Sequence, residues 1–261
     1  MLTASTIGMI ALIAAVFGSF LNVVISRGPR AWGLVDQPGA PRGLAWPPSQ
    51  CEACGTRLRP RDLVPVISFI SLGGKCARCG DGIGVRHLIV EGLAVLAAAV
   101  ALWRFGPTPE AVAAAVLLFF LIALAAIDAE TGFLPDALTF PLIGLGLATA
   151  GLGPGLTAAL IGGLVGGGGL WLLSHGYGVV RGRQGLGGGD IKLVCAAGVW
   201  LGPFALPMVL LLASLGGLAV AFIQIARGER ERDLGTELRF GPFLAAATAA
   251  VLLLGGLPSP L

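Results

Sequence analysis

Long apolar runs with very few charges, separated by short polar segments, dominate this chain of 261 residues. A helix needs about 20 apolar residues to cross the roughly 30 Å hydrocarbon core of a bilayer, and several runs are that long. The sequence therefore predicts an all-α polytopic membrane protein. The runs cover residues 1–26, 88–103 with Glu91 in its first turn, 111–127, 137–180, 193–226 and 240–261.

Two of these runs are too long for one helix each. The run 137–180 is interrupted by glycine and proline between residues 151 and 155, which predicts two spans joined by a tight turn. The run 193–226 is divided at Gly202-Pro203 into a short and a long arm. We therefore predict about eight membrane segments, of which the sixth is a tilted span, a re-entrant segment or a broken helix.

Composition and charge agree with a membrane protein. Hydrophobic residues make up 56% of the chain, charged residues 12%, and the mean hydropathy is +0.89, which excludes an ordinary soluble domain. If eight crossings start outside, only Arg104 of the 17 basic residues lies outside, as the positive-inside rule requires. We expect a bacterial cytoplasmic (inner) membrane protein with its N-terminus outside, and the net charge of +3 needs no nucleic-acid partner.

The predicted organisation has three parts. The first run is preceded by no basic residue and followed by no small-residue cleavage site, so we expect a retained first span over residues 1–26. Residues 27–86 form a cytoplasmic loop domain, and residues 87–261 form a multi-span membrane domain.

Two aspartates stand at the ends of apolar runs. Asp128 follows the run 111–127, and Asp190 follows three glycines just before the next run. In the predicted topology both lie at the inner face, where a pair of carboxyls can share a proton and perform acid–base chemistry on a peptide bond. The structural alternatives are an N-cap for Asp190 and an interfacial helix end for Asp128. We expect Gly187 and Gly189 to let the backbone adopt positive φ angles and approach another segment or an extended substrate closely.

Four cysteines form two C-x2-C pairs separated by 21 residues. Four thiolates at this spacing suit tetrahedral Zn²⁺, and a glycine after each pair permits a tight turn around the sulfurs. The alternatives are two disulfides or free thiols, which a reducing compartment disfavours. We predict a structural zinc site that folds the loop, whereas Cys195 is a packing residue. The predicted ligands are Cys51, Cys54, Cys76 and Cys79.

The sequence around the two aspartates resembles the motifs of a known family. Residues 128–136 (DAETGFLPD) and 185–193 (GLGGGDIKL) look like the two aspartyl motifs of the type IV prepilin leader peptidases, which belong to the Gly-x-Gly-Asp membrane aspartyl proteases. Residues 18–24 (GSFLNVV), 65–68 (PVIS) and 240–244 (FGPFL) extend the resemblance from the first span to the last.

The resemblance implies a function and a substrate. Asp128 and Asp190 would be the catalytic acids of an endopeptidase that removes the basic leader of type IV prepilins and pseudopilins, for a pilus or a type II secretion system. The four-cysteine loop implies a second activity, N-methylation of the new N-terminal residue with S-adenosylmethionine. Asp136 is either a polar residue near the site or a turn residue, and Lys192 is either a site residue or a topology anchor.

Two other functions are compatible with these residues. One is a peptidase without methyltransferase activity, and another is a proton-coupled transporter that uses the two aspartates as a carrier pair. Asn22 and Glu91, polar residues in or beside spans, either help to bind substrate or make interhelical hydrogen bonds. Glycines at 162–163 and 166–169 favour close helix packing. The sequence identifies neither a methyl-donor site nor an oligomeric state.

Overall fold

A computed structural model describes residues 4–35, 43–46, 48–51, 53–59, 62, 67–182, 186–227 and 239–255. The described residues are predominantly helical, with two isolated β-bridges and no extended strand among them. The chain divides into two compact units, an N-terminal unit (Met1–Pro107) and a C-terminal unit (Thr108–Leu261). The all-helical class predicted from the apolar runs is confirmed.

The N-terminal unit is built on two long helices, α1 (Ala4–Ala31) and α3 (Val85–Phe105), with the short α2 (Ile67–Ser71) in the loop between them. Helices α1 and α3 pack directly against each other. A Cβ atom added at Gly18 would come within 2.9 Å of both Ala94 Cβ and the Glu91 backbone. The glycine therefore lets the two backbones approach closely in the segment that carries Glu91.

The described part of the C-terminal unit contains seven α-helices. Helix α4 starts with Pro109 at its first turn and ends where Gly132 adopts a left-handed conformation, with φ 75°. These capping residues explain why a run of apolar residues becomes a helix with these limits. The helices are α4 (Pro109–Thr131), α5 (Asp136–Ala148), α6 (Leu156–Gly163), α7 (Leu170–Arg181), α8 (Gly188–Leu201), α9 (Leu206–Ala226) and α10 (Gly241–Gly255).

Among the described residues, five helical segments are long and apolar enough to cross a membrane. Helices α5, α8 and α10 occupy three further predicted segments, and α10 is described over 15 residues up to Gly255, where the described part of the chain ends. Helices α5 and α8 contain only 13 and 14 residues, and at 1.5 Å per residue they span roughly 20–21 Å, less than the hydrocarbon core. The structure thus confirms a multi-span protein. The five long segments are Gly8–Ala31, Val85–Phe105, Pro109–Thr131, Leu156–Arg181 and Pro203–Ala226.

Both predicted breaks are present. Helix α5 ends at Ala148, a 3₁₀ turn follows over Ala150–Leu152, and α6 begins after Gly155, whose φ is 81°. The second break lies at Gly202, whose φ is 79°, between α8 and α9. A positive φ strains residues with a Cβ atom, so glycine at these two turns follows from the backbone path.

Glycines allow α6 and the π-helical segment Leu164–Gly169 to lie directly on α8. A Cβ atom added at Gly162 would lie 2.1 Å from the carbonyl oxygen of Gly198, and one added at Gly198 would lie 2.1 Å from that of Gly162. Backbone therefore contacts backbone at this crossing, as the small-residue pattern predicts.

Helix α8 forms the centre of the C-terminal unit. It packs against α5, α6 and α10, and eight of its residues between Leu193 and Leu201 are buried. The Trp200 indole donates a hydrogen bond of 2.9 Å to the carbonyl of Leu142 on α5. A helix that is apolar on every side becomes the core of a helical assembly, and here its polar first turn carries Asp190.

Candidate active site and metal centre

Asp128 lies in the last turn of α4 and is 5% exposed. Its backbone carbonyl accepts a hydrogen bond of 2.8 Å from the amide of Gly132, so the turn that ends the helix also fixes this residue. A carboxylate is rarely buried without partners, because burial removes its hydration. The position therefore has the character of a functional site.

The N-terminus of α10 covers the Asp128 side chain. A Cβ atom at Gly241 would lie 2.7 Å from Asp128 Oδ2, and the Gly241 amide interacts with the carboxylate. Oδ2 itself is buried and has no hydrogen-bond partner within the described part of the chain. A buried acceptor without a partner is costly, so this oxygen is available to a water molecule or a substrate.

Asp190 occupies the third helical position of α8, and Gly187 is the N-cap. Its carboxylate accepts a hydrogen bond from the amide of Gly187, as acidic residues at this position do when they reach back to the cap. The N-cap of α8 is therefore Gly187, three residues before Asp190, and Asp190 does not occupy the N-cap position that was its structural alternative. The Asp190 and Asp128 carboxyls lie close enough to interact electrostatically.

Helix α10 explains how the two acids meet. It packs against α4, which carries Asp128, and against α8, which carries Asp190. The structure thus brings together two carboxyls that are 62 positions apart in the sequence. Two carboxyls in one partly buried site oppose simultaneous ionisation, which prepares one to act as an acid and the other as a base.

The glycines before Asp190 allow neighbouring side chains to approach the backbone closely. Gly187 has φ −65° and Gly189 lies in the first turn of α8, so neither has the positive φ that we expected. A Cβ atom at Gly189 would lie 2.8 Å from Leu134 Cβ, and one at Gly187 would lie 3.3 Å from Asp190 Oδ2. Gly187 thus leaves room for the Asp190 carboxyl and Gly189 for the Leu134 side chain, so the expected close approach is present and the expected positive φ is not.

Asp136 and Lys192 form an ion pair with each other. Asp136 begins α5 and Lys192 follows Asp190 on α8, so the pair joins the first turns of the two helices. The Lys192 ammonium also lies 5.4 Å from the centre of the Phe140 ring, which is within the range of a cation–π contact. The structure brings both residues to the end of the unit that holds the carboxyl pair, without placing either against Asp128 or Asp190.

Arg239, which sequence reasoning treated only as a topology marker, lies beside the site. Its guanidinium donates a hydrogen bond to the carbonyl of Ala129 and interacts electrostatically with Asp128. In the sequence, Arg239 could have been singled out as a site residue because it stands directly before the Phe240-Gly241-Pro242 motif. Arg239 thus supplies a cation to Asp128, and the motif that follows it supplies a close-packed glycine.

The four loop cysteines converge in the N-terminal unit. Their sulfur atoms all lie within 4.8 Å of one another, and Cys51 Sγ is 3.8 Å from Cys79 Sγ. A tetrahedral zinc with bonds of about 2.3 Å has sulfur–sulfur edges of roughly 3.8 Å, so the arrangement fits that ion. The predicted cluster is confirmed as a site that could hold a metal ion.

The two C-x2-C pairs, here called knuckles, have the same local structure. The backbone amide of the first cysteine in each knuckle donates a hydrogen bond to a carbonyl across the turn, from Cys51 to Thr56 at 2.9 Å and from Cys76 to Asp81 at 2.7 Å. The glycines that follow each pair have positive φ, 66° at Gly55 and 74° at Gly80. The predicted tight turns are therefore present, and each directs two sulfurs to one point.

The thiols of the cluster have unequal acidity. Hydrogen bonds from the Thr56 side chain and backbone lower the pKa of Cys54 to about 6. The amide of Asp81 acts to lower the pKa of Cys79, but desolvation and the neighbouring cysteines raise it to about 12. Four thiolates therefore require a cation among them, because a shared positive charge relieves their mutual repulsion.

We expect Gly241→Ala to lower peptide-bond cleavage by about 10²-fold or more while the protein stays folded. The added Cβ atom would meet Asp128 Oδ2 at 2.7 Å, and a misplaced catalytic group costs rate on this scale. Steady-state cleavage rates of the purified variant provide the measurement. Gly255→Ala is the matched control, because it changes the same helix at a position with nothing within 4 Å. Equal rates for Gly241→Ala and the parent would contradict the described contact.

Comparisons with known proteins cover most of the chain. The model of the bacterial peptidase A24 N-terminal domain matches residues 12–105, and that of the type IV leader peptidase family matches residues 115–222. A prepilin leader peptidase/N-methyltransferase of Burkholderia pseudomallei (strain 1026b) is 43% identical, over 92% of this chain and 82% of its own length. No solved structure matches.

Two further relatives with the same description come from other genera. The protein from Pseudomonas aeruginosa is 38% identical, over 94% of this chain and 89% of its own length. The protein from Neisseria gonorrhoeae is 36% identical, over 91% of this chain and 86% of its own length. Similarity of this extent includes both the cysteine loop and the segments that carry the two aspartates.

Proposed function

The chain belongs to the type IV leader peptidase family, and from that premise we propose that it is a membrane aspartyl endopeptidase. Its substrates would be type IV prepilins and pseudopilins, whose basic leader it removes at the cytoplasmic face of the bacterial inner membrane. One observation carries the proposal: α10 holds Asp128 and Asp190 in one site, with a buried carboxylate oxygen free of partners among the described residues. Membership of this family also favours a peptidase over a proton-coupled transporter.

The two carboxyls would divide the chemistry between them. The ionised carboxyl takes a proton from a water molecule, whose oxygen adds to the carbonyl carbon of the scissile peptide bond. The protonated carboxyl donates to the carbonyl oxygen, and the carbon–nitrogen bond breaks as the leaving amine takes up a proton. Two carboxyls that interact in one site would titrate and react as one unit.

The surrounding residues would position this pair. Gly187 and Gly189 keep the first turn of α8 close to its neighbours, and the Asp136–Lys192 ion pair ties that turn to α5. Arg239 joins the start of α10 to the end of α4. Each of these contacts limits movement of a helix end that carries a catalytic acid.

The proposed topology has eight membrane segments and an N-terminus outside. It is supported by five long apolar helices and by α5, α8 and α10, which fill the three remaining positions as short segments. Short segments are tolerated where other helices or a water-filled region surround their ends. In this arrangement the first span covers residues 1–26, the loop domain 27–86 faces the cytoplasm, and the membrane domain 87–261 presents its acids to the same side.

The metal of the loop domain would be zinc with a structural role. Four cysteine sulfurs complete a tetrahedral set and leave no open position for a substrate, so the ion stabilises the loop rather than taking part in the reaction. A cross-link of this kind orders a polar loop that has little apolar core of its own.

We expect the purified protein to contain about one zinc per chain, and Cys76→Ser to lose it, because a serine hydroxyl is a poor substitute for a thiolate ligand. Inductively coupled plasma mass spectrometry gives the zinc content. Cys195→Ser is the matched control, since Cys195 lies outside the cluster. Undiminished zinc in Cys76→Ser would place the metal elsewhere.

The second proposed activity is methylation of the amine that cleavage releases. Bound S-adenosylmethionine would supply the methyl group: the amine lone pair would form the new carbon–nitrogen bond, the carbon–sulfur bond would break with its electrons left on sulfur, and the nitrogen would release one proton to water. The descriptions of the relatives support this activity.

The test of both activities uses the full protein in proteoliposomes, a prepilin with a short basic leader, and S-adenosylmethionine. Mass spectrometry of the product is expected to show loss of the leader and gain of one methyl group on the new N-terminal residue. A cleaved but unmethylated product would support the peptidase alone. Intact prepilin under conditions that support the folded protein would contradict the proposal.

A further inference from the structure

The two carboxyls of the site have different surroundings. Asp128 lies against the first turn of α10, where a Cβ atom added at Gly241 would come within 2.7 Å of its Oδ2 atom and 2.8 Å of its Cγ atom. The amide of Gly241 interacts with the carboxylate, and the N-terminus of a helix carries a partial positive charge. The start of α10 therefore favours a negative charge on Asp128.

A cation adds to this effect. The guanidinium of Arg239 donates a hydrogen bond to the carbonyl of Ala129, and its Nε atom would lie 3.8 Å from a Cβ atom added at Gly132. Both observations place Arg239 over the last turn of α4, where its charge acts on Asp128. An opposite charge nearby favours the ionised form of a carboxyl. A guanidinium keeps its charge up to a pH of about 12, so this effect is present throughout the neutral range.

The carboxyl of Asp190 interacts with a different set of groups. Among the described residues these are the amide of Gly187 and the negative charge of Asp128. Lys192, two positions further along α8, forms its ion pair with Asp136 of α5. A neighbouring negative charge favours the protonated form of a carboxyl. The surroundings of Asp190 therefore favour the opposite form from those of Asp128.

The other charged groups do not reverse this difference. On α4 itself, Glu130 follows Asp128 by two positions and is exposed, so its side chain leaves the helix on another face. Helices α6, α9 and α10 and the 3₁₀ turn Ala150–Leu152, which pack against α4 or α8, contain no charged residue. The titratable groups of α7, which also packs against α8, are all exposed: His175, Tyr177 and Arg181. Among the described residues, the cation that acts on the pair is Arg239, and it acts on Asp128.

We propose that Asp128 is the general base of the pair and Asp190 the general acid, and that Arg239 is a positioning residue that sets this division. The inference rests on the proposed peptidase function and assigns each half of its chemistry to one carboxyl. Asp128 has the atom that a base requires, because its Oδ2 oxygen is buried and has no hydrogen-bond partner in the described part of the chain. A pair that holds one proton has two forms, and Arg239 favours the form with the proton on Asp190.

This division gives a complete reaction cycle. Asp128 takes a proton from water, the water oxygen adds to the carbonyl carbon of the scissile bond, and Asp190 gives its proton to the carbonyl oxygen. When the carbon–nitrogen bond breaks, Asp128 gives its proton to the leaving nitrogen and Asp190 takes one from a hydroxyl of the intermediate. Both carboxyls are then in their starting forms, and the products are a carboxylic acid and an amine.

The test is the pH profile of kcat/KM for leader cleavage by the full-length protein in proteoliposomes, with a prepilin that carries a short basic leader. Arg239→Gln is expected to lower kcat/KM by about threefold or more on the acidic side of the optimum, because Asp128 is then protonated more often. On the alkaline side, where Asp128 is ionised with or without the cation, the variant is expected to match or exceed the parent. Arg239→Lys keeps the charge and is expected to retain the parental profile.

Arg227→Gln is the matched control, because it removes the same charge from the end of α9 and is expected to leave the profile unchanged. Three results for Arg239→Gln would overturn the inference: an unchanged profile, a loss by the same factor at every pH, which is a structural effect alone, or a gain on the alkaline side without an acidic loss, which indicates the opposite division. Each of these leaves the peptidase standing, whereas a folded parent that cleaves no prepilin contradicts the proposed function as well. Arg239→Met, also uncharged, decides the matter if Arg239→Gln does not fold.

Discussion

Asp128→Asn and Asp190→Asn are each expected to lower kcat for leader cleavage by about 10³-fold or more. An amide has nearly the shape of the carboxyl it replaces, but it neither takes a proton from water nor donates one to the carbonyl oxygen of the peptide bond. General acid–base catalysis by one group raises the reaction rate by about 10²–10⁴-fold. Loss of one carboxyl also removes the electrostatic interaction that shifts the protonation of the other.

This loss is measured in proteoliposomes as single-turnover release of the leader from a prepilin. Glu110→Gln is the matched control, because it removes one carboxyl from the other end of α4, far along the helix from Asp128. Its rate is expected to remain within about twofold of the parent, as for other substitutions away from the site. Loss of cleavage in Glu110→Gln would indicate a general effect of charge removal on the protein.

The second large effect concerns packing. Gly162→Ala is expected to destabilise the C-terminal unit by about 3 kcal/mol or more, at or above the upper end of ordinary overpacking. The new Cβ atom would lie 2.1 Å from the Gly198 carbonyl oxygen, whereas carbon–oxygen contacts between helices are about 3.3–3.6 Å. No side chain can move aside at this crossing, so the two backbones must separate.

Thermal unfolding in detergent, followed by tryptophan fluorescence and by retention of the monodisperse species, measures this effect. Gly176→Ala on α7 is the matched control, because nothing lies within 4 Å of its added Cβ atom. Alanine is favoured over glycine in a helix by about 0.5–1 kcal/mol, so the control is expected to be as stable as the parent or more so. Equal melting temperatures for Gly162→Ala and the parent would contradict the backbone contact between α6 and α8.

The sequence predicts the parts of this fold that local rules govern. Apolar runs of helical length, a proline after Thr108, and glycines at 132, 155 and 202 determine where helices start and stop, and the structure follows them. The cysteine knuckles are equally local, since Cys-x2-Cys-Gly directs two sulfurs inward whatever surrounds it. The pairing of the two knuckles was predicted because a tetrahedral ion requires four ligands.

Contacts between distant segments were harder to predict. Sequence reasoning placed Asp128 and Asp190 on one membrane face, but the helix that joins them is α10, whose Gly241 contacts Asp128 from 113 positions away. Arg239 was counted among the inner-face charges, and its contact with the end of α4 depends on how α10 packs. Hydropathy describes which face of a helix is apolar and not which neighbour covers it.

The number of full crossings shows another limit of local rules. Helices α5 and α8 have the composition of spans, but turns at Thr149 and Gly202 shorten them. A continuous apolar run does not reveal that α8 is enclosed by other helices and can therefore be short. The same enclosure places the first turn of α8, with Asp190, beside Asp128.

The most direct test of the central claim is the cleavage rate of the double variant Asp128→Asn/Asp190→Asn beside the two single variants. Groups that act as one unit give non-additive effects, so the double variant is expected to be no slower than the slower single variant by more than about threefold. All three proteins must fold and purify as the parent does. Cleavage at the parental rate by either single variant, or a double variant whose loss is the product of the two single losses, would contradict a catalytic pair formed by Asp128 and Asp190.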